Sequence, residues 1–319
     1  MRHVRRGRFR VRLARSVVAI ATAFAAVAGL GAPAGAETRP ASAARPFPDA
    51  AEVKKQLRAL ELSYQGRIGA YAIDTGTGKI LSYRGEERFP SRSTFKAILC
   101  GAILAKARTS DPGLLERTLR WTAEEVVVDS PITGLEQNVK NGMTVERLCH
   151  AAITVSDNTA GNVLLKQIGG PAGLTRYYRS LGDPVGRLDR WEPELNDWKP
   201  GEKRDTIKPA FMARSLHKLT VGQALHPQDR QRLNDWLKAS VTGPERIRKG
   251  LPTTWIVGDK TGGAAGVYAP GSDIAVAWPP TGAPLIIAVY TNREDPAATM
   301  DNSVIAKTAT LLARGLGRL

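Results

Sequence analysis

A serine and a lysine stand three residues apart in the stretch SRSTFKAILCG, residues 91–101. Apolar residues follow at helical spacing, which predicts a helix that Ser91 or Ser93 could cap. Ser93 and Lys96 would then be neighbours on one helix face, and an amine beside a hydroxyl can help to activate a nucleophile. The S-x-x-K pattern is common, so by itself it fits a solvated surface pair equally well.

Three further polar stretches stand at predicted loops or helix starts, where functional residues often occur. Ser156-Asp157-Asn158 separates two apolar helical patterns, although these residue types also suit a simple helix cap. Lys260-Thr261-Gly262 ends a predicted strand, where a lysine on a sheet edge is unremarkable. The segment LDRWEPELN belongs to a loop over 187–206 that holds two tryptophans and two prolines. Loops of that length in a compact domain are usually functional or disordered, and the tryptophans favour packing.

Together and in this order, the four stretches resemble the class A serine β-lactamases. The resemblance runs from about residue 50 to the C-terminus and rests on FPSRSTFKAILCGAIL, CHAAITVSDNTAGNVLL, LDRWEPELN and KTG. The separations suit the family, with 63 residues from Ser93 to Ser156 and 68 from Glu192 to Lys260. The resemblance implies hydrolysis of the β-lactam ring of penicillin- and cephalosporin-type antibiotics through a serine acyl-enzyme, and therefore antibiotic resistance.

The resemblance also implies a role for each residue of the site. Ser93 would be the nucleophile, with Lys96 or Glu192 as the base of the first step, a choice that is disputed for the family. Glu192 would then activate the water that hydrolyses the acyl-enzyme, and Ser156 would pass a proton to the leaving lactam nitrogen. Contacts to substrate and to that water would come from Asn158, Asn196, Arg246, Lys260, Thr261 and Gly263.

Three structural features are implied in the same way. Arg190 and Asp205 would pair to close the loop, and the Glu192–Pro193 peptide bond would be cis. The family's disulfide joins the positions of Cys100 and Cys149 and would link the nucleophile's helix to its neighbour. The residues alone leave a second interpretation of these cysteines open, namely two buried free thiols.

The chain departs from the family pattern near the expected substrate carboxylate. The strand after Lys260-Thr261-Gly262 lacks the arginine that many relatives carry, and the loop 263–272 is about two residues longer. Arg246 matches the position from which some actinobacterial members supply the charge, with Arg248 as the alternative. Asp129 stands where an aromatic residue usually forms a wall of the site. These differences bear on substrate preference and leave the reaction class unchanged.

The first 36 residues predict a secretory signal peptide, with seven arginines, a short apolar run and an Ala-Gly-Ala cleavage site. We therefore expect a secreted protein, extracellular or periplasmic. Without the signal, 39 basic residues face 30 acidic ones, so the net charge falls from +16 to +9. The basic residues are scattered and lack interleaved aromatics, which argues against a nucleic-acid partner. No later stretch is apolar enough for a membrane anchor.

Strand patterns occur at both ends of the chain and helical patterns fill the middle, which argues against a doubly wound parallel sheet. After a lead-in over 37–48, we predict an α/β fold of the α+β type. An antiparallel sheet, with five strands as the resemblance implies, would form with flanking helices from 49–88 and 240–319. An all-helical region would span 89–239. We see no cluster of metal ligands, expect no cofactor, and expect a monomer.

Two other functions share the S-x-x-K nucleophile and the fold. A penicillin-binding DD-peptidase or esterase need not release its acyl group quickly, so it does not need Glu192 and Asn196. A penicillin-binding sensor would need a membrane anchor or a partner domain, and the sequence predicts neither. The loop that carries Glu192 therefore favours the β-lactamase.

Overall fold

The computed structural model describes residues 49–263 and 266–319. The predicted signal peptide over 1–36 and the predicted lead-in over 37–48 lie outside the described residues. The helices are α1 Ala50–Tyr64, α2 Phe95–Thr109, α3 Glu136–Asn141, α4 Val145–Thr154, α5 Asn158–Lys166, α6 Gly170–Ser180, α7 Pro209–Thr220, α8 Pro227–Lys238 and α9 Asn302–Gly315. The strands are β1 Gly66–Asp74, β2 Ile80–Tyr83, β3 Phe89–Pro90, β4 Thr118–Leu119, β5 Met143–Thr144, β6 Thr206–Ile207, β7 Ile256–Gly262, β8 Gly271–Trp278 and β9 Leu285–Arg293. Among the described helices, none combines the length and the apolar character needed to cross a bilayer.

Both ends of the chain contribute strands to one five-stranded antiparallel sheet, which confirms the predicted fold class. The strand order is β2-β1-β9-β8-β7, so the hairpin β1–β2 joins the C-terminal strands along β9. Strand β7, which ends in Lys260-Thr261-Gly262, lies at one edge of the sheet. The sheet therefore places this motif next to the helices that come from the middle of the chain.

The two faces of the sheet bury different sets of helices. Along β9, Ile287 and Val289 belong to an apolar cluster with α1 and α9, whereas Ile286 and Ala288 belong to a second cluster with the helices from the middle of the chain. Successive side chains of a strand point to opposite faces, so one apolar strand can serve both clusters. Because both faces are covered, β9 is apolar from Leu285 to Val289 and shows no polar alternation there.

The predicted all-helical region needs a correction, since it contains four two-residue strands. Strand β3 pairs with β6, and β4 pairs with β5. Two-residue strands are too short to show a period of two in the sequence, and partners far apart in the chain form them. We propose that the boundaries near residues 89 and 239 still separate the helical region from the discontinuous α/β region.

The start of the nucleophile's helix also differs from the prediction. Residues Arg92–Thr94 form a 3₁₀ turn, α2 begins at Phe95, and no serine side chain caps the helix. Instead Ser91 donates from its backbone N–H at 2.8 Å and from its hydroxyl at 2.9 Å to the Asp205 carbonyl oxygen. The serine that suited a cap therefore ties the turn to the end of the loop 187–206.

The predicted disulfide is absent from the structure, in which Cys100 and Cys149 are buried free thiols. The Cys100 thiol donates to the Cys149 carbonyl oxygen at 3.7 Å, so it has a polar partner without a covalent bond. Burial raises the pKa of the Cys149 thiol, and the neighbouring Cys100 acts in the same direction. A thiol that stays protonated reacts slowly, which suits an inert position between α2 and α4.

We predict that Asp205→Ala lowers the free energy of unfolding by about 3 kcal/mol, because it removes one partner of a buried ion pair. Asp205 is fully buried. It accepts from Arg190 Nε at 2.6 Å, from Arg190 N at 3.0 Å and from Asp189 N at 2.7 Å. Denaturant unfolding followed by circular dichroism measures the change.

Glu202→Ala is the matched control in the same loop. Glu202 pairs with Arg204, whose side chain is 54% exposed, and exposed pairs contribute little to stability. An Asp205→Ala variant as stable as Glu202→Ala would contradict the role that we assign to the buried pair.

Candidate active site

Ser93 and Lys96 lie together at the N-terminal end of α2, as the S-x-x-K spacing predicts. The Lys96 ammonium donates to Ser93 Oγ at 3.0 Å, to the Ser156 carbonyl oxygen at 2.8 Å and to Asn158 Oδ1 at 2.6 Å. The Lys96 side chain is fully buried. Three acceptors fix the amine beside the hydroxyl, which is the geometry that an activated serine needs.

Glu192 reaches the same hydroxyl from the loop 187–206. Its Oε1 atom lies 3.1 Å from Lys96 Nζ and 3.4 Å from Ser93 Oγ. Its Oε2 atom accepts from Asn196 Nδ2 at 2.6 Å. The Glu192–Pro193 bond is cis, and the predicted pair of Arg190 and Asp205 closes the loop. The carboxylate and the ammonium are both fully buried, so solvent screens their attraction little.

Ser156 lies between two buried lysines. Its carbonyl oxygen accepts from Lys96, and its Oγ atom accepts from Lys260 Nζ at 2.9 Å. Its backbone has a φ of 63°, a left-handed conformation that few residues other than glycine adopt. The helix cap that the sequence allowed here is made by Asp157, which accepts from Ala160 N at 2.9 Å. The three residues therefore serve both the site and the start of α5.

Burial lowers the pKa of the Lys260 ammonium well below its usual value, and the positive charge of Lys96 acts in the same direction. Asp259 and Asp273 oppose the shift by their negative charges. Lys260 Nζ also donates to the Thr261 carbonyl oxygen at 2.6 Å. A lysine with a lowered pKa beside a serine hydroxyl can exchange a proton at a pH where a free lysine stays charged.

Arg246 and Arg248 differ in what they contact. Arg246, 5% exposed, donates to the carbonyl oxygens of Gly262 at 2.8 Å and Ser272 at 2.6 Å, and it lines the cavity beside Ser93. Arg248 pairs with the buried carboxylate of Asp259 and does not line that cavity. Of the two arginines that the sequence allowed, Arg246 is therefore the one at the site.

A cavity of about 830 Å³ brings these groups together. Predicted residues in its wall are Ser93, Asp129, Ser156, Asn158, Asn196, Arg246, Thr261 and Gly263. Lys96, Glu192 and Lys260 lie directly behind that wall, so the structure brings every predicted catalytic and substrate-binding residue to one place. Gly263 has a φ of 92°, and a Cβ atom there would lie 2.0 Å from the Pro270 carbonyl oxygen, so glycine is required.

Asn162 is a residue of the site that the sequence analysis missed. Its Oδ1 atom accepts from Glu192 N at 2.9 Å, and its Nδ2 atom donates to the Glu192 carbonyl oxygen at 2.8 Å. These two bonds fix the backbone of Glu192. A signal was present, because Asn162 follows Asn158 by about one helical turn and shares its helix face.

Two further cavity residues, Thr242 and Arg92, left no recognisable signal in the sequence. Thr242 Oγ1 lies 2.6 Å from Thr261 Oγ1, which places a second hydroxyl beside Lys260-Thr261-Gly262. Arg92 donates from Nη1 to the Asn196 carbonyl oxygen at 3.0 Å. The threonine contact joins residues 19 positions apart, and the arginine contact joins residues 104 positions apart. No local sequence pattern predicts contacts at such separations.

The chemistry available here is that of acyl transfer. One hydroxyl, of Ser93, has two potential bases within reach, and a second hydroxyl, of Ser156, lies beside a lysine that can supply a proton. Arg246 and Lys260 add positive charge at the cavity for an anionic substrate. Within 49–263 and 266–319, no group of three or more His, Cys, Asp or Glu side chains could hold a metal ion.

Comparison with known proteins decides the family. A sequence profile of the beta-lactamase enzyme family matches residues 52–316. Beta-lactamase FAR-1 of Nocardia farcinica is 46% identical to this chain over 306 residues, which cover 95% of this chain and 96% of that protein. This chain belongs to the beta-lactamase enzyme family.

Solved structures identify the class of β-lactamase. The β-lactamase of Streptosporangium roseum is 60% identical, with a TM-score of 0.83 over 84% of this chain and 100% of that one. An ancestral class A β-lactamase is 48% identical, with a TM-score of 0.77 over 82% of this chain and 98% of that one. The enzyme is therefore a class A β-lactamase, and its reaction is hydrolysis of the β-lactam ring.

We predict that Lys260→Arg moves the alkaline limb of kcat/KM for benzylpenicillin to higher pH. Because the pKa of Lys260 is lowered, the wild-type lysine loses its proton at a lower pH than a free lysine does. The site then loses this positive charge. Arginine keeps its proton throughout that range. The profile is measured by ultraviolet absorbance of the lactam. Lys166→Arg, at a side chain that is 51% exposed, is the control. If the alkaline limb stays at the same pH in Lys260→Arg, a group other than Lys260 causes that limb.

We predict that Arg246→Ala lowers kcat/KM for benzylpenicillin about ten- to a hundredfold, mainly through KM, because charge-assisted hydrogen bonds contribute about 1.5–3 kcal/mol. The methyl ester of the same penicillin lacks the carboxylate, so its kcat/KM should change little. Arg248→Ala is the comparison, since that arginine pairs with Asp259. Equal losses for acid and ester in Arg246→Ala would contradict a contact with the carboxylate.

Proposed function

We propose that Ser93 attacks the lactam carbonyl, that the ring opens to an ester on Ser93 Oγ, and that water activated by Glu192 hydrolyses the ester. The protein would thereby destroy penicillin- and cephalosporin-type antibiotics and confer resistance. The observation that carries this proposal is the cluster in which Ser93 Oγ lies 3.0 Å from Lys96 Nζ and 3.4 Å from Glu192 Oε1. One hydroxyl then meets the bases for both half-reactions.

Acylation requires that the Ser93 proton leaves as the Oγ–C bond forms. Lys96 and Glu192 are both within hydrogen-bonding reach of Oγ, so either can accept the proton, and both routes are compatible with the distances. The negative charge that develops on the carbonyl oxygen would be stabilised by backbone N–H groups, those of Ser93 and Gly263. Both residues line the same cavity.

Ring opening breaks the C–N bond, and the nitrogen needs a proton. Ser156 is the proposed donor, because its Oγ lies 2.9 Å from Lys260 Nζ, which can replace the proton that Ser156 gives up. The lowered pKa of Lys260 makes this transfer easier than it would be from an ordinary lysine.

Deacylation requires a base for the attacking water. Glu192 is the proposed base, and Asn196, which donates to Glu192 Oε2 at 2.6 Å, would hold the carboxylate and share the water. The two bonds from Asn162 to the Glu192 backbone support the position of the base. This arrangement favours a β-lactamase over the alternative of a DD-peptidase or a penicillin-binding sensor of the same fold.

Substrate binding would use the two ends of the cavity. We assign the substrate carboxylate to Arg246, Lys260 and Thr261, and the amide of the substrate's side chain to Asn158. Lys96 donates to Asn158 Oδ1, and Asn158 Nδ2 donates to the Val128 carbonyl oxygen at 3.0 Å. These two partners fix the orientation of the Asn158 side-chain amide. Asp129 and Gly263 shape the cavity walls and would tune substrate preference.

Class A β-lactamases are typically exported, and we propose the same for this enzyme. Residues 1–36 would act as a cleaved signal peptide, and the mature enzyme would work as a monomer outside the cytoplasm, without a membrane anchor. Mass spectrometry of the protein from culture supernatant tests the cleavage site, and light scattering tests the monomer.

The proposed function is tested by Glu192→Ala, which should trap the acyl-enzyme. Ser93 can still be acylated with Lys96 as the base, but loss of a general base slows its step by about 10²–10⁴-fold. Intact mass after mixing with benzylpenicillin should show a stable adduct on this variant and none on the wild type once substrate is exhausted. Ser93→Ala is the control and should show neither adduct nor hydrolysis. Wild-type turnover in Glu192→Ala, or labelling of Ser93→Ala, would refute the assignments.

A further inference from the structure

Arg92 is a buried arginine directly before Ser93, and the proposed mechanism leaves it without a role. The residue lines the cavity, yet it is only 5% exposed. Its φ is 46°, so it adopts the left-handed conformation that arginine rarely takes. Strained backbone of this kind persists where the surrounding structure holds it, and it occurs often at functional sites.

The charge of Arg92 has no direct counter-ion among the described residues. Its guanidinium forms no ion pair within 4.0 Å, and Glu192 and Asp197 are the carboxylates whose charges act on it at longer range. Nε has no acceptor in the described part of the chain. A buried guanidinium in this state is costly, so the hydrogen bonds that it does form must be well placed.

The contact that Arg92 makes leads to the base of the second half-reaction. Nη1 donates to the Asn196 carbonyl oxygen at 3.0 Å, and the Asn196 side chain donates to Glu192 Oε2 at 2.6 Å. Arg92 therefore connects the turn that carries the nucleophile to the segment that orients Glu192. Lys96 holds Glu192 by a separate route. It contacts the carboxylate directly, and its other partners are Ser93, Ser156 and Asn158, so its contacts do not pass through Arg92 or Asn196.

We propose that Arg92 is a positioning residue for deacylation. By holding the Asn196 carbonyl, it keeps the Asn196 amide and the Glu192 carboxylate in the arrangement that activates the hydrolytic water. Acylation depends on it less, because Lys96 keeps Ser93 activated through other contacts. This inference rests on the proposed function, in which Glu192 is the deacylation base.

The test uses Arg92→Met, which keeps an unbranched apolar stem and removes the charge and the donors, and Arg92→Lys, which restores a charged donor. When only deacylation slows, kcat and KM fall together and kcat/KM is preserved. For benzylpenicillin we expect Arg92→Met to lower kcat and KM each about tenfold, with kcat/KM within about twofold of wild type, since small misplacements of catalytic groups cost up to about 10²-fold. Quenched-flow intact mass should show a larger acylated fraction during turnover. Arg92→Lys should recover part of kcat.

Arg318→Met is the control for loss of an arginine outside the site. Arg318 donates to the Ala283 carbonyl oxygen at 2.9 Å and pairs with Asp74 at 3.1 Å. It does not line the cavity, so the kinetics of a variant that folds by circular dichroism should match the wild type. A variant with Asn196→Ala adds a second test. Once Asn196 no longer bonds Glu192, adding Arg92→Met should reduce kcat by less than about twofold.

Each result discriminates. Loss of kcat/KM in Arg92→Met without accumulation of the adduct would overturn the proposal, as would unchanged kcat and KM. If Arg92→Met fails to fold by circular dichroism, Arg92→Lys decides, both alone and in the Asn196→Ala background. A wild type that does not hydrolyse benzylpenicillin, or a Glu192→Ala variant that deacylates normally, would refute the proposed function instead, and that result is separate from any result on Arg92.

Discussion

Lys96 and Glu192 form a buried ion pair with Nζ and Oε1 3.1 Å apart, and the geometry around Ser93 depends on it. Removing either partner would leave an uncompensated charge in a buried site, which is strongly destabilising. Three separate segments must therefore meet at one point. Helix α2 supplies Lys96, the loop 187–206 supplies Glu192, and the segment from the turn before α5 to its first residue supplies two of the acceptors that Lys96 uses. The helical packing of the middle region has to bring all three together.

The same requirement explains why so much charge lies next to an apolar core. Lys260 is fully buried near Asp259 and Asp273, and Arg248 pairs with Asp259 behind the site. Opposite charges and hydrogen bonds make the burial tolerable, and the low local dielectric strengthens each interaction in return. The result is a cavity with fixed donors and positive charge, which needs little reorganisation when an anionic substrate reacts.

Arg246 shows that a charge is needed at a place in space and can come from different parts of the chain. The strand after Lys260-Thr261-Gly262 has no arginine in its described part, but Arg246 reaches across from the turn before β7. Its bonds to the carbonyl oxygens of Gly262 and Ser272 also brace the ends of β7 and β8. The Arg246 side chain therefore both holds the strand ends in place and supplies positive charge to the cavity.

The sequence by itself determined what depends on a few neighbouring residues. Helical spacing was enough to put Ser93 beside Lys96, and the four motifs, through their resemblance to a family, were enough for the fold class and the predicted site residues. The same resemblance preferred Arg246 to Arg248. Tertiary structure alone decided that Ser91 binds the Asp205 carbonyl rather than capping a helix, and that Arg92 reaches Asn196. The last two contacts join residues 114 and 104 positions apart. Side chains at such separations meet through the packing of whole elements, and no local periodicity or cap preference carries that information.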